Sequence, residues 1–298
     1  MQRTPLGRTG LEISALGFGA LHLSFGERPD EAASIALLHQ VFDLGITLID
    51  TADSYCQDES DKHHSEHLLR KALVSYSGER ERLVIATKGG LMRTNGEWLN
   101  NGDPAYLSAA IRRSFMALGG ERPIDLWQLH APAPGFTIEQ SLAPAKAAVE
   151  AGLIRHVGVS NFSVEQIKRA RSVVEIVSVQ NQYNPWCRWP EFGGVIDYCE
   201  REGLTFMPWS PFGGLPRAHT LRCHPTLAAF AQERGVSVHA IVIAWLRAKS
   251  TAIVPIPGTR RLAALADWLP GLAIRLTPGE VEAIDQSLPH QRRARARA

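Results

Sequence analysis

Short apolar runs rich in β-branched residues alternate along the chain with longer segments of helical spacing. The runs are Ala15–Gly19, Ile46–Ile49, Leu83–Ala86, Ile124–Leu129, His156–Val159, Ile176–Val179, Leu204–Pro208 and Ala252–Ile256. The intervening pattern predicts a helix from an Asp30 N-cap through Leu44, stopped by Gly45. Further helices are expected over Ser65–Ser75, Pro104–Leu118, Ile138–Ala151, Val164–Ser172 and Glu191–Arg201. Gly120, Gly152 and Gly203 stand just past three of them, where a terminating residue needs positive φ. Two more, Pro225–Arg234 and Val238–Ala248, precede the eighth run. Thr277 to Leu288 reads as an extra helix, with Thr277 as N-cap and Glu280 at the capping-box position.

Eight strand–helix alternations without a break in composition predict one α/β domain with a parallel sheet. Eight is also the number that closes a (β/α)₈ barrel, and one such barrel uses about 250 residues. Thr4 to Ser14 looks like a β-hairpin turning at Arg8-Thr9-Gly10, placed to plug one end of the barrel. The expected architecture is therefore a TIM barrel over 1–288 with an N-terminal hairpin and a C-terminal extra helix.

Composition narrows the class. The chain has 298 residues, 45% of them hydrophobic, enough for a large core. Its net charge is +2, and four arginines (Arg292, Arg293, Arg295 and Arg297) crowd a stretch, 289–298, that reads as a disordered tail. The body is close to neutral, so no nucleic-acid footprint is expected. The four cysteines form no C-x-x-C pair, which argues against a zinc site and fits a reducing cytoplasm. The longest apolar run, near Ala240–Leu246, is too short for a bilayer, and no signal peptide is read.

Polar residues fall where the predicted strands end: Asp50, Lys88, His130, Ser160, Asn161, Gln180 and Trp209. In a barrel of this kind those ends form the catalytic face. Tyr55, Lys88 and Asp50 make physical sense together. A phenol ordinarily titrates near about 10, and a neighbouring ammonium favours its phenolate. A buried lysine needs a carboxylate, which Asp50 can supply. With His130 holding a carbonyl oxygen, these residues make an acid–base device for a carbonyl carbon receiving a hydride.

Six segments resemble the aldo-keto reductases, in order and at family spacing, over about residues 3–288. They are Gly45-Ile-Thr-Leu-Ile-Asp50-Thr-Ala-Asp-Ser-Tyr55, Ala86-Thr-Lys88-Gly, Asp125-Leu-Trp-Gln-Leu-His130, Arg155-His-Val-Gly-Val-Ser160-Asn161, Val179-Gln180-Asn-Gln-Tyr-Asn and Pro255-Ile-Pro-Gly258-Thr259. The resemblance implies a barrel that binds NADPH across its strand ends. It implies Tyr55 as general acid, Lys88 and Asp50 as the pair that tunes it, and His130 as the carbonyl-orienting residue. Ser160, Asn161 and Gln180 match positions that hold the nicotinamide carboxamide, and Trp209 the aromatic under its ring. Gly19, Ala20, Ser210, Pro211, Gly213 and Gly214 match further cofactor contacts. Gly258, Thr259, Arg260 and Arg261 match the adenosine 2′-phosphate segment. Ala264 and Trp268 depart from the Arg or His and the Asn often found there, which touches the adenine contacts. The loop after the third run resembles a bacterial branch with pyridoxal reductase-like members. A small carbonyl compound is the implied partner, with the chain a monomer or weak homo-oligomer.

Gly17-Phe-Gly19 lacks the third glycine of a dinucleotide loop, and its helix starts too late. His63, His64 and His67 read better as a solvated helix start than as metal ligands. Cys56 reads as a small packed residue, and Trp98, Trp186 and Trp189 as candidate pocket walls. No tyrosine has lysine four residues on, which excludes a short-chain dehydrogenase. A non-catalytic NADP(H)-sensing subunit, resembling channel-associated members of the family, would keep the same tetrad. A phosphate-binding barrel without nicotinamide is the third alternative.

Overall fold

The computed structural model describes residues 1–214, 217 and 220–288. The arginine tail expected over 289–298 lies outside the described residues. The first strands, β1 (Arg3–Pro5) and β2 (Glu12–Ser14), pair antiparallel with Arg3 opposite Ser14. The main sheet contains β3 (Phe18–Gly19), β4 (Leu48–Asp50), β5 (Val84–Gly89), β8 (Ile124–Leu129), β9 (Ile154–Ser160), β10 (Ile176–Gln180) and β11 (Thr205–Phe206). Its order is β11-β10-β9-β8-β5-β4-β3, and every pairing is parallel. A second small ribbon, β6 (Leu91–Met92) with β7 (Leu99–Asn100), rises from the end of β5.

The eighth predicted run is in place but forms no ladder strand. Phe206 donates to Ala252 O and accepts from Val254 N; on the other side Gly17 and Gly19 donate to Pro255 O and Pro257 O. The segment thus bridges β11 to β3 and closes the ring. In a parallel pairing the bond returning to Gly17 O would come from the nitrogen of residue 257, and that residue is proline. The missing donor explains seven ladder strands where eight runs were read.

Two apolar layers hold the barrel. The interior is filled by Leu48, Val84, Ala86, Leu126, Val177, Met207, Val254 and Ile256, with Leu6 and Ile13 of the hairpin packed among them. The hairpin is therefore a stopper at the strands' N-terminal end. Gly7 makes this fit possible: its φ is +55°, and a Cβ there would lie 2.6 Å from Val177 O. A larger cluster lies between the strands and the surrounding helices.

The helices follow the sequence signals closely. Glu31–Asp43 is capped by Asp30, which accepts from Ala33 N, and Gly45 follows with φ +79°. Pro278–Ser287 carries the Thr277–Glu280 capping box, with both bonds present. Gly120, Gly152 and Gly203 all take positive φ. One expectation is corrected: Glu191–Arg201 is not a single helix. It divides into Trp189–Phe192 and Val195–Glu202, because Gly194 turns into the left-handed region at φ +69°.

Candidate active site

The ends of the parallel strands open into a cleft of about 1760 Å³. At its floor, Asp50 closes β4, and the loop that follows carries Tyr55. Lys88 lies near the end of β5, fully buried, with its Nζ donating to Asp50 Oδ2 at 2.7 Å and Thr51 O at 2.9 Å. The same Nζ is 2.8 Å from Tyr55 Oη. Burial pulls the ammonium's pKa down, but Asp50 and Tyr55 together outweigh it and the net shift is upward. Gln180 Nε2 donates to the second carboxylate oxygen, Asp50 Oδ1, at 2.8 Å, and Gln128 Nε2 stands 3.5 Å from it. His130 follows β8 and meets the Tyr55 ring edge-on, centroids 6.0 Å apart. Asp50, Tyr55 and His130 line the cleft; Lys88 works from behind them.

The opposite arc is built from the ends of β9, β10 and β11 and the closing segment. Asn161, at φ +65°, donates to His130 O and to Ser160 Oγ, and accepts from Trp209 Nε1 at 3.2 Å. That chain of bonds fixes the Trp209 ring against the cleft. Ser210, also left-handed at φ +49°, has its carbonyl held by Asn184 Nδ2. Gly258 packs so closely on Gly19 that a Cβ there would fall 2.3 Å from Gly19 O. Beyond it Thr259, Arg260 and Arg261 reach the far end of the same cleft. Arg260 has Glu27 at 3.8 Å, an exposed pairing that holds it weakly.

Of the residues singled out from sequence, the structure brings Asp50, Tyr55, His130, Gly19, Ser160, Asn161, Gln180, Trp209, Ser210, Pro211, Gly214, Gly258, Thr259, Arg260 and Arg261 onto one surface. Ala20 and Gly213 are adjacent but do not line it, and neither do Trp186 and Trp189, so of the three candidate pocket tryptophans only Trp98 does. Cys56 is packed, and burial pushes its thiol up to about 12, which makes it inert. His63 hydrogen-bonds Glu66 at 2.6 Å, and no group of metal-ligating side chains occurs among the described residues. Sequence reasoning did not reach Phe25, Leu91, Phe212 or Asp267, which also line the cleft, nor Gln128 and Asn184, which brace it. Both bracing residues lie inside the six motifs; of the lining residues Phe25 and Phe212 lie in loops, Leu91 in the two-residue strand β6 and Asp267 in the helix Leu262–Trp268.

Just behind the cleft a second ionisable cluster is sealed from water. Glu66 accepts from Thr87 Oγ1 at 2.5 Å, and Lys62 Nζ stands 3.8 Å from Asp53. Among the described residues neither Asp53 carboxylate oxygen has a hydrogen-bond partner. Burial outweighs the Lys62 attraction, and the Asp53 carboxyl is pushed up to about 7.

The Aldo/keto reductase family model matches residues 15–289. An uncharacterized oxidoreductase of Schizosaccharomyces pombe is 36% identical over 281 residues, covering 92% of this chain and 86% of that protein. A thermostable aldo-keto reductase solved with the inhibitor epalrestat superposes with a TM-score of 0.82 at 30% identity, covering 96% of this chain and all of the other. A holo-form aldo-keto reductase from Bacillus halodurans has the same fold, with a TM-score of 0.78 at 24% identity and 96% of both chains covered.

Proposed function

Because the chain belongs to the aldo/keto reductase family, an oxidoreductase family that uses nicotinamide cofactors, we propose that it reduces an aldehyde or ketone to the alcohol with NADPH. The observation that carries this reading is the Lys88 ammonium, which touches Asp50 and the Tyr55 hydroxyl at once on the floor of a cleft also lined by His130.

The residues present fit an extended dinucleotide. Ordinary ligand pockets measure about 300–1,000 Å³. The cleft, at about 1760 Å³, is large enough for a dinucleotide with a small substrate beside it. It offers amide and hydroxyl groups at Ser160 and Asn161, a ring face at Trp209, and two guanidinium groups at Arg260 and Arg261 for a phosphate. Gln180 already gives one amide hydrogen to Asp50 and keeps its carbonyl oxygen for a second contact.

When bound, NADPH supplies the hydride for the carbonyl carbon. Tyr55 gives its phenolic proton to the carbonyl oxygen as negative charge develops there. The Lys88 ammonium, 2.8 Å away, stabilises the charge left on Oη. Asp50 keeps that ammonium buried and oriented, and His130 offers the oxygen a second polar contact.

The test is Tyr55→Phe, which removes the proton donor and keeps the ring. Turnover of aldehydes should fall by about 10²- to 10⁴-fold, while NADPH still binds as in the wild type. Near-normal turnover would overturn the mechanism, and NADPH binding without turnover of any carbonyl in the wild type would favour a cofactor sensor. Titration of NADPH and NADH against Arg260→Ala/Arg261→Ala reports on the phosphate end. The wild type should prefer NADPH and the double variant should lose that preference.

A further inference from the structure

The barrel order divides the cleft into two arcs. One follows β9, β10, β11 and the closing segment, and carries the lining residues assigned to the cofactor apart from Gly19, which ends β3 against that segment. The other follows β3, β4, β5 and β8, and presents Leu21, Phe25, Tyr55, Leu91, Trp98 and His130. Among the described residues that line the cleft, no aspartate, glutamate, lysine or arginine belongs to that second arc above the Asp50–Lys88 pair. The guanidinium groups and Asp267 lie on the first arc. His22 sits at the seam between the two, beside Gly258.

Within the second arc, Phe25 and Trp98 touch, with ring centroids 5.7 Å apart at 55°. Arg93 backs them both. Its guanidinium carbon lies 4.0 Å from the Trp98 ring centroid and 5.0 Å from that of Phe25, while its side chain is buried. A desolvated cation held against two ring faces fixes both rings more firmly than an exposed one. Arg93 also ties loops together: Nη2 donates to Gln57 O at 2.9 Å, and its backbone N donates to Glu59 Oε2 at 2.7 Å. Gln57 Nε2 in turn donates to Gly26 O at 2.7 Å, next to Phe25. Three loops that diverge in sequence are thus locked into one preformed aromatic wall.

We infer that this wall, Phe25 and Trp98 held by Arg93, selects carbonyl compounds bearing a flat, uncharged, apolar group, an aryl aldehyde or ketone being the substrate class. The inference rests on the reductase reading for the carbonyl itself. A flat ring stacks on surfaces that need no reordering, so little freedom is lost on binding. An aliphatic chain gains no such stacking. A carboxylate or phosphate in the same place would be desolvated while the two rings kept it from direct contact with the buried Arg93 guanidinium.

The experiment has a binding arm and a turnover arm. In the first, benzamide and butyramide are titrated by calorimetry into the protein with NADP⁺, where no hydride is available. Benzamide should bind more tightly, and Trp98→Ala should weaken it by about tenfold, with Trp98→Phe restoring most of the loss. Equal affinity for the two amides, or a benzamide Kd unchanged by Trp98→Ala, would overturn the inference. In the second arm, benzaldehyde, butanal and succinic semialdehyde are compared as substrates with NADPH. Benzaldehyde should lead, with succinic semialdehyde last, and Trp98→Ala should raise the benzaldehyde KM while leaving kcat near normal. A wild type favouring the anionic aldehyde would also overturn it. If benzamide discriminates as expected but no aldehyde is reduced, the wall stands and the reductase reading falls.

Discussion

Lys88 and Asp53 are both buried ionisable groups, and their surroundings answer them differently. Lys88 has three short contacts to oxygen, and its charge is sustained. Asp53 faces Lys62 only at 3.8 Å, with Glu66 nearby adding repulsion. Its carboxyl therefore holds a proton up to about 7, while the unfolded chain releases that proton in the usual carboxylate range. Between about pH 4 and pH 7 the unfolded state binds fewer protons at this site, so its contribution to stability falls as pH rises. Asp53→Asn removes that titration. Urea unfolding across this window should show a flatter decline for the variant than for the wild type. Parallel profiles would mean that Asp53 does not hold its proton. Asp50, Lys88 and His130 were legible in sequence because they stand at the ends of successive strands, and Tyr55 because it lies in the motif that Asp50 belongs to. The state of Asp53 was not, since burial depends on the packing of His63, Glu66 and Tyr106 around it.

At the level of elements, local chemistry determined most boundaries. Ile124–Leu129 is the strand its apolar run suggests, because nothing within it competes with the ladder. Thr137, Ser163 and Thr277 each close a reciprocal capping box, so three helix starts are fixed by side chains next to the helices they begin. Thr277→Ala should cost about 1 kcal/mol, a fall in Tm of about 2 °C for a domain this large. A calorimetric Tm unchanged within error would show that the helix Pro278–Ser287 is held by packing alone. That packing is substantial: Asp285 accepts from Trp245 Nε1 at 2.9 Å and from Lys249 Nζ at 2.6 Å. The sequence was misleading where two glycines met. Helical spacing runs through Gly193-Gly194, yet Gly194 takes a backbone conformation that ends one helix and starts another. Of the aromatic wall the sequence offered only Trp98; its pairing with Phe25 and Arg93 was illegible because the parts come from separate loops with no shared period.

Across the whole molecule, the hairpin seals one end of the barrel and the cleft occupies the other, so the interior has a single working face. The ring itself is uneven. Between β8 and β9 five residue pairs are in register, whereas β3 meets the closing segment through two amides that both point at proline carbonyls. A proline every second residue turns that flank into a one-way zipper: it accepts bonds and returns none. The closing segment runs directly into Gly258, Thr259 and the two arginines proposed to hold the phosphate end of NADPH. This sparsely bonded seam is thus also the place a ligand would clasp, so occupancy should set the opening rate of the barrel. Hydrogen exchange reads this directly. The amides of Gly17, Gly19 and Val254 should exchange faster than those in the middle of β8 and β9, and NADPH should slow them selectively. A seam as protected as the rest of the ring without ligand would mean that four bonds and the flanking helices hold it shut unaided.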